Sequence, residues 1–171
     1  MKIVLVGYMG SGKTTIGKEL AKELNLSFLD LDSYIEETLN KTISDIFLEK
    51  GEIFFRKKEY ELLKKLLDEK NDFVLSTGGG TPCYSGNMEV INESDAYSIY
   101  LKLSIGSLIN RLSSEKENRP LIKNLSNEQL PEFIGKHLFE RSNYYSKANT
   151  TLVCDGKSPL SIVTEIKGKL V

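Results

Sequence analysis

The strongest constraint on the fold lies at the start of the chain. There the apolar run Lys2-Ile3-Val4-Leu5-Val6 passes straight into Gly7-Tyr8-Met9-Gly10-Ser11-Gly12-Lys13-Thr14-Thr15. Residues 3–6 are too few for a soluble helix and suit a strand buried on both faces, while Ile16, Leu20 and Leu24 recur afterwards at helical spacing. Strand, glycine loop and helix in that order, around G-x-x-x-x-G-K-T, are the two flanks and the centre of a phosphate-binding loop. A polyphosphate has to be wrapped by backbone N–H groups, and the glycines let the chain come close. Gly10, Ser11 and Gly12 supply that backbone, and the helix N-terminus adds a positive end. Lys13 reaches the β and γ phosphates, Thr14 completes the oxygen shell of a Mg²⁺ ion, and Thr15 supports the α-phosphate side. A nucleoside triphosphate site is the expectation.

Length and charge narrow the partners. A chain of 171 residues, 40% hydrophobic and 27% charged, fits one domain spanning 1–171 with its own core. With 23 basic against 24 acidic residues and no long block of one sign, neither nucleic acid nor an anionic membrane surface is an expected partner; a small molecule is. The apolar start is too short for a signal peptide and no run reaches transmembrane length, which points to the cytoplasm. Cys83 and Cys154 lack C-x-x-C spacing, so reduced thiols are expected, with no disulfide or zinc site. His137, the one histidine, has no nucleophile or metal-ligand set around it and reads as structural.

A second strand over 27–29 ends in Asp30-Leu31-Asp32, and Ser33 with Glu36 reads as a capping box, leaving Asp32 between strand and helix. In a parallel sheet this edge borders the ligand crevice, where Mg²⁺ and a hydroxyl nucleophile both need carboxylates. Over 52–68 the pattern is helical, with Ile53, Phe55, Tyr60, Leu62, Leu63, Leu66 and Leu67 on one half. Arg56 and Glu59 project from the middle of that half. They are either a self-contained buried pair or a guanidinium held by Glu59 and aimed at an anionic ligand.

A strand over 73–75 runs into Ser76-Thr77-Gly78-Gly79-Gly80-Thr81-Pro82, a triple glycine that suits close approach of a ligand. Another strand follows over 96–101, then Ser104 caps a helix carrying Leu108, Ile109, Arg111 and Leu112. Residues 113–127 are polar and irregular around Arg119-Pro120, the profile of a lid. A helix over 128–145 has Leu130, Phe133, Ile134, Leu138, Tyr144 and Tyr145 on its apolar stripe, with Arg141 in the middle and no acid three or four residues before it. Two inward arginines favour a shared anionic ligand, best matched by a carboxylate. A last strand over 151–154, the turn Asp155-Gly156-Lys157 and a helix opening at Ser158-Pro159 finish the chain, with no internal repeat.

Together Gly10-Ser-Gly-Lys-Thr-Thr15, Asp30-Leu-Asp32, Gly51-Glu-Ile-Phe-Phe-Arg56, Gly78-Gly-Gly80, Asn118-Arg-Pro-Leu121 and Arg141-Ser-Asn-Tyr144 resemble the shikimate kinase family of P-loop small-molecule kinases along essentially the whole chain. The resemblance implies an α/β fold of three layers, a five-stranded parallel sheet in the order 2-3-1-4-5 with helices on both faces and a mobile lid. It implies transfer of the γ-phosphoryl group of MgATP to the 3-hydroxyl of shikimate, a step toward chorismate and the aromatic amino acids. A monomer is the expected state. Asp32, Arg56, Gly78, Gly79, Gly80 and Arg141 would bind shikimate, the arginines on its carboxylate and Asp32 on its ring hydroxyls and as base. Arg119 would reach ATP from the lid, Arg111 would stack on adenine, Lys157 would border the base, and Asp30 would hold Mg²⁺ through water. The chain departs from many members at Asn143, where they carry Pro.

Two other functions fit parts of the pattern. A kinase of gluconate or of a nucleoside monophosphate shares the phosphate loop, and gluconate shares the carboxylate. A nucleotide-dependent binding module without turnover would have no use for Asp32 beside the γ-phosphate.

Overall fold

In the computed structural model, which describes residues 1–170, the opening apolar run is strand β1 (Lys2–Val6), buried along its whole length. A strand without a solvent face belongs in the middle of a covered sheet. β1 pairs in parallel with β3 (Phe73–Ser76) on one side and β4 (Ala96–Lys102) on the other; β2 (Ser27–Asp30) and β5 (Thr150–Val153) form the edges. Among the described residues the order is β2-β3-β1-β4-β5, every pairing parallel, as the resemblance implies. Parallel pairing needs a crossover after each strand. These are supplied by α1 (Lys13–Leu24), α2 (Leu31–Leu39), α3 (Ile43–Asp68), α4 (Asn87–Glu93), α5 (Ile105–Ser113) and α6 (Leu130–Tyr145), and α7 (Pro159–Lys169) closes the fold. Ile3, Leu5, Leu20, Leu63, Leu75, Ile99 and Ile166 meet in the core. The chain crosses from one side of β1 to the other between β3 and β4, so the crevice opens at the carboxyl end of β1, where the glycine loop sits.

Several elements differ from the sequence reading, each for a local reason. Ser33 is not the cap of α2: Asp30 is, its side chain accepting from the Ser33 N–H at 3.1 Å. A carboxylate at the strand end caps as well as serine does and starts the helix sooner. Asp32 therefore lies in the first turn of α2, and Glu36 accepts from the Ile43 N–H at 2.9 Å instead of closing a capping box. The helix read over 52–68 begins at Ile43, capped by Thr42, and bends at Gly51, whose φ of 82° and ψ of 173° interrupt the helical backbone. Ile53, placed inward by the wheel, is 89% exposed. It stands two residues after the bend at Gly51, ahead of the buried run that starts at Phe55. Tyr144 is likewise exposed, at the margin of a stripe centred on Leu130, Ile134 and Tyr145. β5 begins one residue earlier than expected, and α4 has no counterpart in the sequence reading. Segment 113–127 is less irregular than expected: α5 runs through Ser113, Lys116–Asn118 form a 3-10 turn, and Ile122 is fully buried. No helix among the described residues is long and apolar enough to cross a membrane.

Candidate active site

The loop after β1 turns on Gly10 and Gly12, at φ of 78° and 92°, a left-handed backbone open to glycine at little cost. It bends around the ammonium of Lys13, which is buried and donates to the main-chain oxygens of Gly7 at 2.7 Å and Tyr8 at 3.0 Å. Burial, and then the charge of Arg119, push Lys13 down to about 8. An anion beside it favours the charged form again. A cleft of about 500 Å³ lies over the loop, lined by Lys13, Thr14, Thr15, Asp30, Asp32, Gly78, Gly79, Arg111, Arg119 and Lys157. Gly10 and Gly12 line it too; Ser11, buried within the loop, does not.

Two carboxylates face each other's charge there. Asp30 caps α2 and accepts from the Thr14 hydroxyl at 3.4 Å. Asp32 is pushed up to about 6, chiefly by burial and then by the neighbouring charges of Asp30 and Glu59. A carboxyl poised near neutrality suits a general base. The pair Thr14 and Asp30, hard oxygen donors at the mouth of the phosphate loop, fits a Mg²⁺ ion.

The remaining side chains surround the triple glycine, and each glycine's missing side chain makes room for one of them. A Cβ on Gly78 would lie 3.2 Å from Asp32 Oδ1, and one on Gly79 would lie 3.6 Å from Arg141 Nη1. One on Gly80 would lie 2.9 Å from Arg56 Nη2 and 3.3 Å from Arg141 Nη2. Arg56 and Arg141, from α3 and α6, thus converge on one residue. Neither lines the cleft over the phosphate loop; Arg56 opens into a second, shallower hollow with Tyr84 and Ile53.

Arg56 is held on several sides. Its Nη1 donates to Glu59 at 2.9 Å, and its guanidinium lies 3.9 Å from the Tyr84 ring centre. Its buried Nε has no hydrogen-bond partner among the described residues. Glu59, 1% exposed, also accepts from Thr81 Oγ1 at 2.8 Å and from Asn87 Nδ2 at 3.5 Å, while Asn87 donates to the Thr81 main-chain oxygen at 2.9 Å. A buried carboxylate is tolerable only when saturated in this way. Glu59 therefore fixes the guanidinium and the end of the glycine loop together. Arg141 has no acidic partner within 4.0 Å among the described residues.

Arg119 lines the cleft with its Nη2 on Glu115 at 3.0 Å. Arg111 donates to the Gly10 main-chain oxygen at 3.2 Å, and Lys157 donates to Glu165 at 2.5 Å. Sequence reasoning missed Thr81, Asn87, Tyr84 and Tyr145, and also the Phe47–Phe55 ring pair, 4.7 Å between centres, whose Phe55 member lies 5.1 Å from the Arg56 guanidinium. Tyr145 alone had a readable signal, since a tyrosine in the middle of an apolar stripe needs a partner for its hydroxyl. That partner is the Gly79 main-chain oxygen, at 2.5 Å.

The family pattern of shikimate kinase matches residues 9–171. The chain is 56% identical to the shikimate kinase of Flavobacterium psychrophilum over 165 residues, 96% of each protein. Among solved structures it is similar to shikimate kinase from Bacteroides thetaiotaomicron, with a TM-score of 0.90 and 37% identity over 99% of this chain and 98% of that one. It is also similar to shikimate kinase from Acinetobacter baumannii in complex with shikimate, with a TM-score of 0.84 and 33% identity, covering 99% and 92%.

Proposed function

The chain belongs to the shikimate kinase family, and from that premise we propose how its residues divide the work. The reaction is transfer of the γ-phosphoryl group of ATP to the 3-hydroxyl of shikimate, giving 3-phosphoshikimate and ADP. The observation that carries the assignment is the convergence of Arg56 and Arg141 on Gly80, next to Asp32 and the phosphate loop. Two guanidinium groups at one point make a site for a carboxylate.

In this assignment Arg56 and Arg141 hold the acid's carboxylate, and the ring lies over the triple glycine with a hydroxyl toward Asp32. Asp32 accepts that hydroxyl's proton as the oxygen attacks phosphorus. Lys13 and, from the lid, Arg119 balance the charge spreading over the phosphoryl oxygens. Gly10, Ser11, Gly12, Thr14 and Thr15 hold the phosphates; Arg111 and Lys157 border the base. Thr14, with Asp30 through water, would hold Mg²⁺, which offsets phosphate charge when bound. One domain, with 113–127 as a lid that closes on ligands, acting as a monomer in the cytoplasm, completes the proposal.

ADP release measured over shikimate, quinate, gluconate and several nucleoside monophosphates tests acceptor choice. Comparable rates on gluconate and shikimate would defeat the two-arginine site as a selective one. For the lid, nucleotide plus shikimate should protect 113–127 from proteolysis, and Arg119→Ala should fold normally while lowering kcat more than shikimate affinity. Equal cleavage with and without ligands would count against closure.

A further inference from the structure

The assignment above leaves His137 without a task. It lies on α6 four residues before Arg141, which lies four before Tyr145, so the three side chains stand one above another on the same face. Two of them reach other elements of the site. Tyr145 donates to the Gly79 main-chain oxygen at 2.5 Å, with its ring 5.2 Å from Tyr100 on β4. His137 Nδ1 shares a 2.8 Å hydrogen bond with the hydroxyl of Tyr8, their rings edge to face at 5.4 Å, and Phe133 packs against the imidazole at 5.2 Å.

Tyr8 belongs to the phosphate loop. Its side chain is 1% exposed, and its main-chain oxygen accepts from Lys13 Nζ at 3.0 Å and from the Ser11 N–H at 3.2 Å. The imidazole therefore touches the residue around which Lys13 is folded. Burial, and next the charge of Arg141, hold His137 below its ordinary range, while burial holds the Tyr8 phenol above its own. At neutral pH the contact joins two uncharged groups, and it places no second cation beside Arg141.

We propose that His137 is a positioning residue: through Tyr8 it fixes α6, and with it Arg141, against the phosphate loop. It rests on the reading that Arg141 takes the acid's carboxylate. Tyr145 pins the other side of Arg141 to the glycine loop, so the guanidinium is suspended between two anchors. Without the one at His137, that stretch of α6 has only apolar packing to set its distance from the loop, and the carboxylate meets a less defined partner.

The test is shikimate affinity measured by titration calorimetry on the full chain, with steady-state kinetics alongside. His137→Ala should weaken shikimate binding by roughly two- to tenfold, the range for one net hydrogen bond, and raise the KM for shikimate more than it lowers kcat. Tyr8→Phe, which keeps the ring in the core and removes one oxygen, should give a loss of the same size. The double variant should lose no more than either alone. An asparagine places its amide where Nδ1 stands, so His137→Asn should recover most of the affinity and His137→Gln, whose amide extends further, should not. In an Arg141→Ala background His137→Ala should cost nothing further. Equal losses with and without Arg141, or full additivity with Tyr8→Phe, would overturn the inference. If Arg141 matters and both His137→Ala and Tyr8→Phe leave affinity unchanged, the inference alone fails. An Arg141→Ala protein that binds shikimate like the parent removes the reading beneath it as well. Should His137→Ala fail to fold, Tyr8→Phe carries the same comparisons.

Discussion

The two sides of the proposed site, one for phosphate and one for the acid, are built in opposite ways. The phosphate side is a continuous piece of backbone, where Lys13 is buried and tied to the Gly7 and Tyr8 oxygens of its own loop. The acid side is made of side chains from α2, α3 and α6, brought to a glycine loop that contributes mainly the absence of its own. A contiguous loop can be positioned by its own φ and ψ values, whereas convergent side chains have to be aimed by partners. Glu59, Thr81, Asn87 and Tyr145 are those partners. Damage to the first region should therefore strike the transferring group, and damage to the second should strike acceptor affinity.

Lys13→Ala is the hardest test of that division. It should lower kcat on the order of 10³-fold or more in a folded protein, while shikimate affinity measured by titration stays close to the parent's. Near-normal turnover would refute the division outright. Asp32→Asn crosses between the regions and should lose roughly 10²- to 10⁴-fold in kcat, since the amide keeps a hydrogen bond and cannot take a proton. The same change should raise the melting temperature at pH 8. Folding moves Asp32 from its ordinary 3.8 to about 6, so the native state binds more protons in between, and this group's stabilisation, present at low pH, is lost as pH rises through 6. At pH 8 the buried charge costs up to ~3 kcal/mol, which asparagine avoids. At pH 4 the gain should vanish, and in the parent kcat/KM should fall as pH drops below about 6. A melting temperature indifferent to pH in this comparison would mean that Asp32 is well solvated.

Arg141→Ala should cost ~2–5 kcal/mol of shikimate binding, the range for one partner of a desolvated charge pair, and leave ATP binding nearly unchanged. An analogue with the carboxylate reduced to an alcohol should bind the parent poorly and lose little more in the variant. Losses that add in full would place Arg141 away from the carboxylate. A smaller effect belongs to Gly80→Ala. Its methyl group would meet Arg56 Nη2 at 2.9 Å, and that guanidinium is tethered by Glu59 and Tyr84, so it yields with difficulty. A loss of ~1–3 kcal/mol in shikimate binding at nearly constant kcat is expected, measured by the same titration.

The two sides also differ in how much of them the sequence alone specifies. The phosphate loop was legible because its function depends on neighbours in sequence, and Arg141 was legible because a helical wheel exposes an unpartnered charge. The partners that aim the arginines were not. Thr81 and Asn87 become ligands of Glu59 only when α3 and α4 pack, and nothing in the sequence marks α4 as a helix. Ile53 escapes the wheel because a wheel assumes that every apolar residue on one face meets the core, and Ile53, two residues past the bend, is 89% exposed while Phe55 is buried. Asp32 falls inside α2, not ahead of it, because Asp30 and not Ser33 caps the helix.

Gly51 carries a consequence of a different kind. On an unbroken helix Phe47 and Phe55 would stand about 12 Å apart along the axis. The bend folds that distance away and brings the ring centres to 4.7 Å at a tilt of 36°, so that Phe47 backs the Phe55 ring lying beside Arg56. Judged by its neighbours Gly51 is dispensable, since a methyl group there would meet nothing within 4 Å. Its worth is entirely torsional: the backbone at φ 82° and ψ 173° is one that other residues resist, so the ring pair beside Arg56 depends on a position that touches none of it.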